Sequence, residues 1–499
     1  MSKRFNVWLL LLVAVLVSRF IGMAFFPFAD TTEPRYAEIA RLMAETGDWI
    51  TPWFEPGVPF WGKPPMSFWA QAAAIKVFGV SEFSLRFPSW LATLGMVWLV
   101  WRLARQFWSV QVAQWSCLVF ATMALTYISA GAVMTDAFLA LGTTLALVSF
   151  YLVMTGEGGP WRWSFFLGLA IGLLSKGPLA PVLIGIPIVL WLLLSWREAT
   201  NNLSRLSWWR GSLLTALLVC PWYVLAELKT PGFLDYFILG EHVRRFLDPG
   251  WAGDLYGSAH NQPKGMIWVF WLWASFPWGI FALVSLALAW FRGNRRGIVS
   301  KTLSDPGVSL LLASALAPML FLTLAGNTLW TYILPSLPFT AILIGRWASQ
   351  CESLWLSRMR GGAVALVPVL LTVFVGLAEA GWAPLKTEKE LVSYYQQASN
   401  TGDSPLIYLN DLPFSARFYS NGKALEVTES GLGELLENKP FQRLYVAVPR
   451  TWPDGKLADL FMSARMVMAN SRYQLLVVQG LPRDHQSVSG ANGVRSNDI

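Results

Sequence analysis

The chain has 499 residues, of which 55% are hydrophobic and only 14% are charged. Soluble domains carry about 25% charged residues, so this composition excludes a soluble enzyme and indicates a membrane protein with several spans. The three cysteines show no CxxC spacing, which argues against a disulfide framework and against a cysteine-based metal cluster. The net charge of +8 is interpreted as a signal of membrane orientation rather than of a nucleic-acid partner.

Apolar runs that approach the roughly 20 residues needed to cross a bilayer recur along the chain. They lie at 7–28, 84–104, 109–130, 135–155, 161–175, 178–195, 210–227, 265–291, 307–325, 328–347 and 361–380. The first run is too long for a signal peptide and no small-residue cleavage site precedes Asp30, so an uncleaved span is predicted.

Lysine and arginine clusters alternate with loops that are poor in basic residues, beginning with Lys3 and Arg4. The positive-inside rule then predicts a multi-pass protein of the bacterial inner membrane with a cytoplasmic N-terminus. The loop after the first span and the C-terminal segment are predicted to be periplasmic. Residues 1–380 are the predicted transmembrane domain, an α-helical polytopic fold of about eleven spans.

The pattern changes beyond residue 381, where short strand-like runs alternate with the short predicted helices 411–419, 430–438 and 456–464. Such alternation predicts a small α/β domain, here over residues 381–486. The polar residues 487–499 are predicted to be a disordered tail.

The loop after the first span opens with two carboxylates, Asp30 and Glu33, at the start of a predicted interfacial helix. Asp30 is either a carboxylate near the helix N-terminus that the dipole stabilises or a group that acts as a base or orients an acceptor. Lys63 follows on a stiff turn made by Gly62 and two prolines, and it is either a snorkelling lysine or a phosphate-binding cation.

Further polar residues lie on predicted outer turns of the membrane domain. Asp136 lies between two spans, where a carboxylate is either a turn residue or functional, and Lys176 occupies a rigid turn before Pro178. Arg244 and Arg245 suit a phosphate, although contact with anionic lipids explains them equally well. Glu241 and His242 beside them are too sparse for a zinc site by themselves.

At these residues the chain resembles glycosyltransferase family 39 of the GT-C superfamily, which includes the protein O-mannosyltransferases and the lipid A aminoarabinose transferases. The similarity covers roughly residues 1–350. It rests on Arg35-Tyr36-Ala37-Glu38-Ile39, Gly47-Asp48-Trp49, Lys63-Pro64-Pro65, Asp136, Ser175-Lys176-Gly177-Pro178, Glu241-His242, Arg245-Phe246 and Tyr332-Ile333-Leu334-Pro335.

The resemblance implies a polyprenyl-phosphate sugar donor bound in a cavity on the periplasmic side. It implies a catalytic carboxylate from the first loop, either Asp30 or Glu33, which Asp136 assists. It implies Arg35, Lys63 and Lys176 near the donor phosphate and Tyr332 near the donor. Arg244 and Arg245 are further predicted to bind the donor phosphate, and Tyr36, Tyr332 and His242 are predicted to bind substrate.

This chain departs from the family pattern at two places, the catalytic carboxylate of the first loop and a zinc ligand. Aligned without gaps, the acidic pair of the aminoarabinose enzymes becomes Thr32-Glu33, and the nearest aspartate is Asp30. Gly62 stands where those enzymes have a glutamate that binds zinc together with the histidine matching His242. A divalent metal held by Glu241 and His242 is therefore the one cofactor left open.

The sequence thus predicts an integral-membrane glycosyltransferase that moves a sugar, with inversion, to a periplasmic acceptor. Lipid A, another glycan, a lipid and a protein are all open as acceptors, and membrane lipids are expected partners. The alternatives are a lipid or solute transporter that uses the same cationic cavity and a non-catalytic lipid-binding scaffold.

Overall fold

The computed structural model describes residues 2–194, 202–248, 251–257, 261–291, 306–350, 354–382, 385–399, 404–432, 443–452 and 464–479. The chain forms two compact units, Met1–Phe26 with Ile39–Ala380 and Pro27–Glu38 with Gly381–Ile499. The short segment Pro27–Glu38 thus groups with the C-terminal residues. The predicted domain boundary at residue 380 assigns this segment to the transmembrane domain. The predicted tail and most of the predicted helices 430–438 and 456–464 lie outside the described residues.

The described residues of the first unit are mostly helical, as the apolar composition predicts. Its α-helices are Ser2–Phe25, Met66–Phe78, Glu82–Phe107, Val110–Thr122, Ala124–Ser129, Asp136–Met154, Trp161–Lys176, Leu179–Leu194, Trp208–Lys229, Arg245–Leu247, Met266–Ala274, Trp278–Phe291, Pro306–Leu322, Leu337–Ser349 and Leu354–Glu379. Shorter elements are the 3₁₀-helices Leu203–Arg205 and Trp330–Ser336, the π-helix Asp235–Arg244, and a hairpin of β1 (Trp53–Glu55) and β2 (Val58–Pro59). The helix Thr32–Thr46 crosses the boundary between the units at Glu38.

All the predicted apolar runs contain helix, and the chain has the predicted polytopic membrane fold. In the part that the structure describes, five helices are long and apolar enough to cross a membrane. These are Val7–Phe25, Glu82–Phe107, Asp136–Met154, Trp208–Lys229 and Arg360–Glu379. The run 265–291 is not straight, because Met266–Ala274 and Trp278–Ala287 meet at a bend of 111°.

Two successive membrane helices, Asp136–Met154 and Trp161–Lys176, approach each other through glycines. A Cβ atom added to Gly142 would lie 2.7 Å from the backbone of Gly168 and of Gly172. Small residues let the backbones of two membrane helices come this close, and van der Waals packing then stabilises the contact. Since a short loop joins the helices, the first residue of one, Asp136, returns to the level of the last residue of the other, Lys176.

Two buried arginines stabilise the ends of helices in this unit. Arg19, inside the first span, donates hydrogen bonds of 2.9 and 2.6 Å to the carbonyls of Ile128 and Gly131. Arg86 donates to the carbonyls of Met23 and Phe26, where the first helix ends. The last carbonyls of a helix have no partner within it, so a cation there satisfies them and favours the helix dipole.

The second unit is the predicted small α/β domain, built on a five-stranded mixed sheet. Its strands are β3 (Leu406–Leu409), β4 (Leu425–Val427), β5 (Arg443–Pro449), β6 (Arg465–Ala469) and β7 (Tyr473–Gln479), in the order β4-β3-β5-β7-β6. β3 is parallel to β4 and β5, while β7 is antiparallel to both its neighbours. Side chains alternate along β5, so that Val446 and Ala447 pack into separate cores. The helices Lys389–Ala398 and Phe414–Tyr419 complete the unit.

Candidate active site

A cavity of about 250 Å³ lies in the first unit. Six of the predicted site residues line it, and they come from four separate stretches of the chain. They are Lys63, Lys176, Glu241, His242, Arg245 and Tyr332. Apolar side chains such as Val182 and Phe321 form much of the remaining wall. The sequence therefore identified most of the polar lining, although the residues are up to 269 positions apart.

Glu241 joins two of the cations in the cavity wall. Arg245 donates hydrogen bonds of 3.0 Å to both of its carboxylate oxygens, and Lys63 Nζ lies 3.4 Å from Oε2. Burial raises the pKa of Glu241, but Lys63 and Arg245 outweigh burial and hold the pKa below its usual value. Glu241 is therefore ionised at neutral pH. Arg245 also pairs with Asp254 at 3.2 Å.

The π-helix Asp235–Arg244 carries Glu241 and His242 into the cavity wall. Its wider turn is visible at its end, where the backbone N–H of Arg245 donates to the carbonyl of Gly240. π-Helical turns are rare and are frequently found at functional sites. Only one of the two adjacent arginines lines the cavity, because Arg244 is exposed to the outside. Phosphate binding by Arg244 and Arg245 stays a prediction, and the cavity lining contains Arg245 but not Arg244.

Lys176 and Asp136 form a second ion pair, with Nζ and Oδ1 2.6 Å apart and both side chains almost fully buried. Each lies at the helix end that suits its charge: Asp136 begins a helix, and Lys176 ends one. The Lys176 ammonium also lies 4.3 Å from the centre of the Tyr332 ring, a cation–π distance. The carboxylate, the cation and the phenol predicted from separate segments thus meet in one cluster.

The two residues that the sequence left open as metal ligands do not fit a metal here. The His242 ring nitrogens face two backbone carbonyls, Phe237 O at 2.7 Å and Lys176 O at 3.0 Å. The Glu241 oxygens are taken by Arg245 and Lys63, and burial lowers the pKa of His242. Among the described residues, no group of three His, Cys, Asp or Glu side chains could hold a metal ion.

Gly62, which stands where the family pattern has a glutamate, lies close to the Phe60 ring. A Cβ atom on Gly62 would lie 2.9 Å from the Phe60 ring. A larger residue at position 62 would require that ring to move.

Asp30 precedes the helix Thr32–Thr46 and is held by residues of the C-terminal segment. It belongs to the second unit, and its side chain is only 3% exposed. Its carboxylate accepts hydrogen bonds from the backbone N–H of Ser415 at 2.8 Å, from the Ser415 hydroxyl at 2.7 Å and from Arg472 at 2.5 Å. These three hydrogen bonds hold the Asp30 carboxylate in place, and its role as a base stays a prediction.

Glu33, Arg35 and Tyr36 also belong to the second unit, in the first turns of the helix Thr32–Thr46. The Arg35 guanidinium lies 5.2 Å from the centre of the Tyr36 ring and 5.7 Å from that of Phe414. Tyr36 is buried and Glu33 is half-buried. The helix predicted from the spacing of apolar residues is therefore present, beginning at Thr32.

The Gly47-Asp48-Trp49 motif has a structural role in the first unit. Asp48 accepts hydrogen bonds from the N–H groups of Ile50 and Thr51, both at 3.1 Å, and from Trp53 Nε1 at 2.8 Å. Lys229 pairs with the same carboxylate at 2.6 Å. The motif therefore fixes the path of the loop that leads to Lys63.

Comparison with known proteins gives one sequence family and a group of curated relatives. Residues 7–237 match the family described as dolichyl-phosphate-mannose-protein mannosyltransferase. The undecaprenyl phosphate-alpha-4-amino-4-deoxy-L-arabinose arabinosyl transferase of Pseudomonas paraeruginosa is 30% identical over 396 residues, which are 76% of this chain and 66% of that protein. The corresponding protein of Aeromonas salmonicida is 31% identical over 336 residues, 64% of this chain and 55% of its own length. The chain thus spans less than two thirds of the length of these relatives.

Two solved structures have a similar fold. ArnT from Cupriavidus metallidurans, in a crystal structure bound to undecaprenyl phosphate, matches with a TM-score of 0.76 and 18% identity, covering 99% of this chain and 100% of that one. The oligosaccharyltransferase of Archaeoglobus fulgidus, in its apo form, matches with a TM-score of 0.53 and 11% identity over 92% of this chain and 71% of its own.

Proposed function

Because residues 7–237 match a mannosyltransferase family and the chain is similar to arabinosyl transferases, we propose that it is a GT-C membrane glycosyltransferase that uses a polyprenyl-phosphate sugar donor. Undecaprenyl phosphate is the proposed carrier, since the names of the relatives contain it. The acceptor is a hydroxyl or a phosphate on lipid A, another glycan, a lipid or a protein.

The observation that carries this proposal is the group of cations in the cavity wall. Lys63, Lys176 and Arg245 line a cavity whose other walls are largely apolar. A lipid phosphate has this same combination, a charged group joined to a long apolar chain. Each of these cations already has a carboxylate partner, so a phosphate would enter by competing with Glu241 and Asp136 for them.

The proposed reaction forms one bond and breaks one at the anomeric carbon. The acceptor oxygen attacks the face opposite the phosphate, the bond between the anomeric carbon and the phosphate oxygen breaks, and the configuration inverts. The leaving phosphate keeps the electron pair and gains negative charge, which nearby cations stabilise electrostatically. A hydroxyl acceptor gives up its proton to one of the carboxylates assigned to the acceptor, whereas an ionised phosphate acceptor needs only to be oriented.

The carboxylates assigned to the acceptor are Glu33 and Asp136. Asp136 has its partner Lys176 at 2.6 Å, which holds the carboxylate in place. Glu33 and Arg35 are assigned by their resemblance to the family pattern, and Tyr36, Tyr332 and His242 are assigned to substrate binding. Asp30 is assigned to positioning, because three donors already surround its carboxylate.

The proposed topology follows the distribution of basic residues. The N-terminus lies in the cytoplasm, and the cavity and the C-terminal domain lie on the periplasmic side. Residues 1–380 form the catalytic membrane domain apart from the segment that groups with the C-terminal domain. Accessibility of single cysteines to a membrane-impermeant thiol reagent, placed after residue 57 and after residue 422, tests this orientation.

The experiment that tests the function is sugar transfer by the purified protein. A synthetic undecaprenyl-phosphate sugar, first 4-amino-4-deoxy-L-arabinose and then hexoses, is offered with lipid A, and product is detected by mass spectrometry. We expect Glu33→Gln and Asp136→Asn to abolish transfer. Wild-type activity in both variants would exclude the assigned carboxylates, and movement of the donor across liposomes without a covalent product would favour a transporter.

A further inference from the structure

The segment Pro27–Glu38 is built into the C-terminal unit by contacts at successive residues. The backbone N–H of Phe28 donates to the Tyr419 hydroxyl at 2.7 Å, and the Phe28 ring packs against Phe418. The backbone N–H of Asp30 donates to the carbonyl of Lys386 at 2.8 Å. Both backbone and side chain of this segment therefore depend on residues that follow the last membrane helix.

A buried ionic network reinforces these contacts. Arg472, in the turn between β6 and β7, lies 2.5 Å from the carboxylate of Asp30 and 2.7 Å from that of Glu388. Glu388 is fully buried and also accepts from Asn470 at 2.8 Å. One guanidinium thus separates two buried carboxylates, so its removal would leave like charges facing each other in a poorly solvated place.

The C-terminal unit also contacts Arg35, which follows Asp30 by five residues. Ser415, which donates twice to Asp30, is adjacent to Phe414, the ring beneath the Arg35 guanidinium. The short helix Phe414–Tyr419 therefore contacts both ends of the stretch that includes Glu33. The position of Glu33 and Arg35 depends on this helix and on Arg472.

We propose that Arg472, with Ser415 and Glu388, is a positioning residue that holds the first-loop segment in its reactive geometry for transfer. The inference rests on the proposed function, because it gives the C-terminal domain a role in catalysis rather than only in acceptor choice. Arg472 acts through Asp30 and need not touch the substrate.

The test compares three variants of the purified full-length protein. Arg472→Met removes the charge, Arg472→Lys keeps the charge but not the forked geometry, and Arg443→Met removes an exposed arginine from β5 of the same sheet. Amide hydrogen exchange is measured across residues 27–38 and across β5 and β7. The kcat and the KM for the donor are measured in the transfer assay.

In Arg472→Met we expect exchange across 27–38 to rise by at least ~10-fold while β5 and β7 stay protected. We expect kcat to fall ~10- to 100-fold with little change in the donor KM, since the loss is one of geometry. Arg472→Lys should recover part of both losses, and Arg443→Met should match the wild type. Adding Asp30→Asn to Arg472→Met should cause no further loss, because the two residues act as one unit.

Unchanged exchange across 27–38 in Arg472→Met would overturn the proposal. An equal rise in β5 and β7 would also overturn it, because Arg472 would then support only the sheet. Raised exchange with unchanged kcat would separate the segment from catalysis and equally refute the role. If the wild type transfers no sugar from any donor, the proposed function fails, and the exchange data alone still decide whether Arg472 holds the segment.

Discussion

Lys176 Nζ lies 2.6 Å from Asp136 Oδ1, and both side chains are almost fully buried. Breaking a buried pair by removing one partner costs about 3–5 kcal/mol, because the other charge is left without compensation. We therefore expect Lys176→Met to lower thermal stability strongly and the double variant Lys176→Met/Asp136→Asn to recover much of it. Both variants should be inactive. A double variant less stable than either single variant would contradict this coupling.

The adjacent arginines Arg244 and Arg245 provide a matched comparison. Arg245→Met should lower kcat/KM for the lipid-linked donor by ~100-fold or more, as expected for losing a charged donor at a developing negative charge. Arg244→Met should change it by less than ~3-fold, because the exposed side chain lies outside the cavity wall and a surface charge acts weakly. Equal effects of the two substitutions would show that the cavity is not the donor-phosphate site.

The pKa of Glu241 makes a prediction about the pH dependence of stability. Lys63 and Arg245 outweigh burial and hold the pKa below the ordinary value of 4.5, so the folded protein binds this proton less tightly than the unfolded chain does. The resulting stabilisation is complete above pH 4.5 and is lost as the pH falls through the lower folded pKa. We expect Glu241→Gln to reduce the Tm at pH 7 and at pH 5, and the difference to shrink below pH 4.5. A Tm difference between the wild type and Glu241→Gln that grows at acid pH would contradict this prediction.

The ligand geometry of Glu241 and His242 predicts that sugar transfer does not depend on a metal. The oxygens of Glu241 and the ring nitrogens of His242 already face protein groups. We expect transfer to survive EDTA and 1,10-phenanthroline with less than a twofold change. Loss of activity on chelation, with recovery on adding zinc, would show that these groups rearrange around a metal.

The contact between the helices Asp136–Met154 and Trp161–Lys176 should tolerate no side chain at Gly168. A Cβ atom there would lie 2.6 Å from the backbone of Ala146, so Gly168→Ala is expected to cost about 1–3 kcal/mol by overpacking. Gly185→Ala is the control, since a Cβ atom at Gly185 meets nothing within 4 Å. Thermal unfolding in detergent should place the first variant clearly below the second.

Several parts of the fold could be predicted because they depend on local composition. Apolar run length located the membrane helices, and short strand-like apolar runs located strands such as β5. Asp136 and Lys176 could be predicted as candidates because a charge between spans is costly without a function or a partner. The direct pairing of Asp136 with Lys176 could not be predicted from the sequence, because it depends on the close approach of two helices through Gly142 and Gly168.

The role of Asp30 could not be predicted for a related reason. Its sequence neighbours indicated a helix N-terminus at an interface, and nothing local identifies Arg472 or Ser415 as its partners. In the same way, nothing in the polar loop around Asp254 identifies this carboxylate as a partner of Arg245. Long-range pairs of this kind are fixed by the tertiary fold, so spacing along the chain contains no signal for them.

The bond between Asp30 and Arg472 joins residues that are 442 positions apart in the chain. At translation rates of about 5–20 residues per second, roughly 20 to 90 s separate the synthesis of the two partners. The first loop therefore leaves the ribosome long before its binding partners exist, and it can reach its final conformation only after the last strands have been made. On the proposed role of Arg472, transfer requires the completed chain, and a product truncated before Arg472 is expected to be inactive.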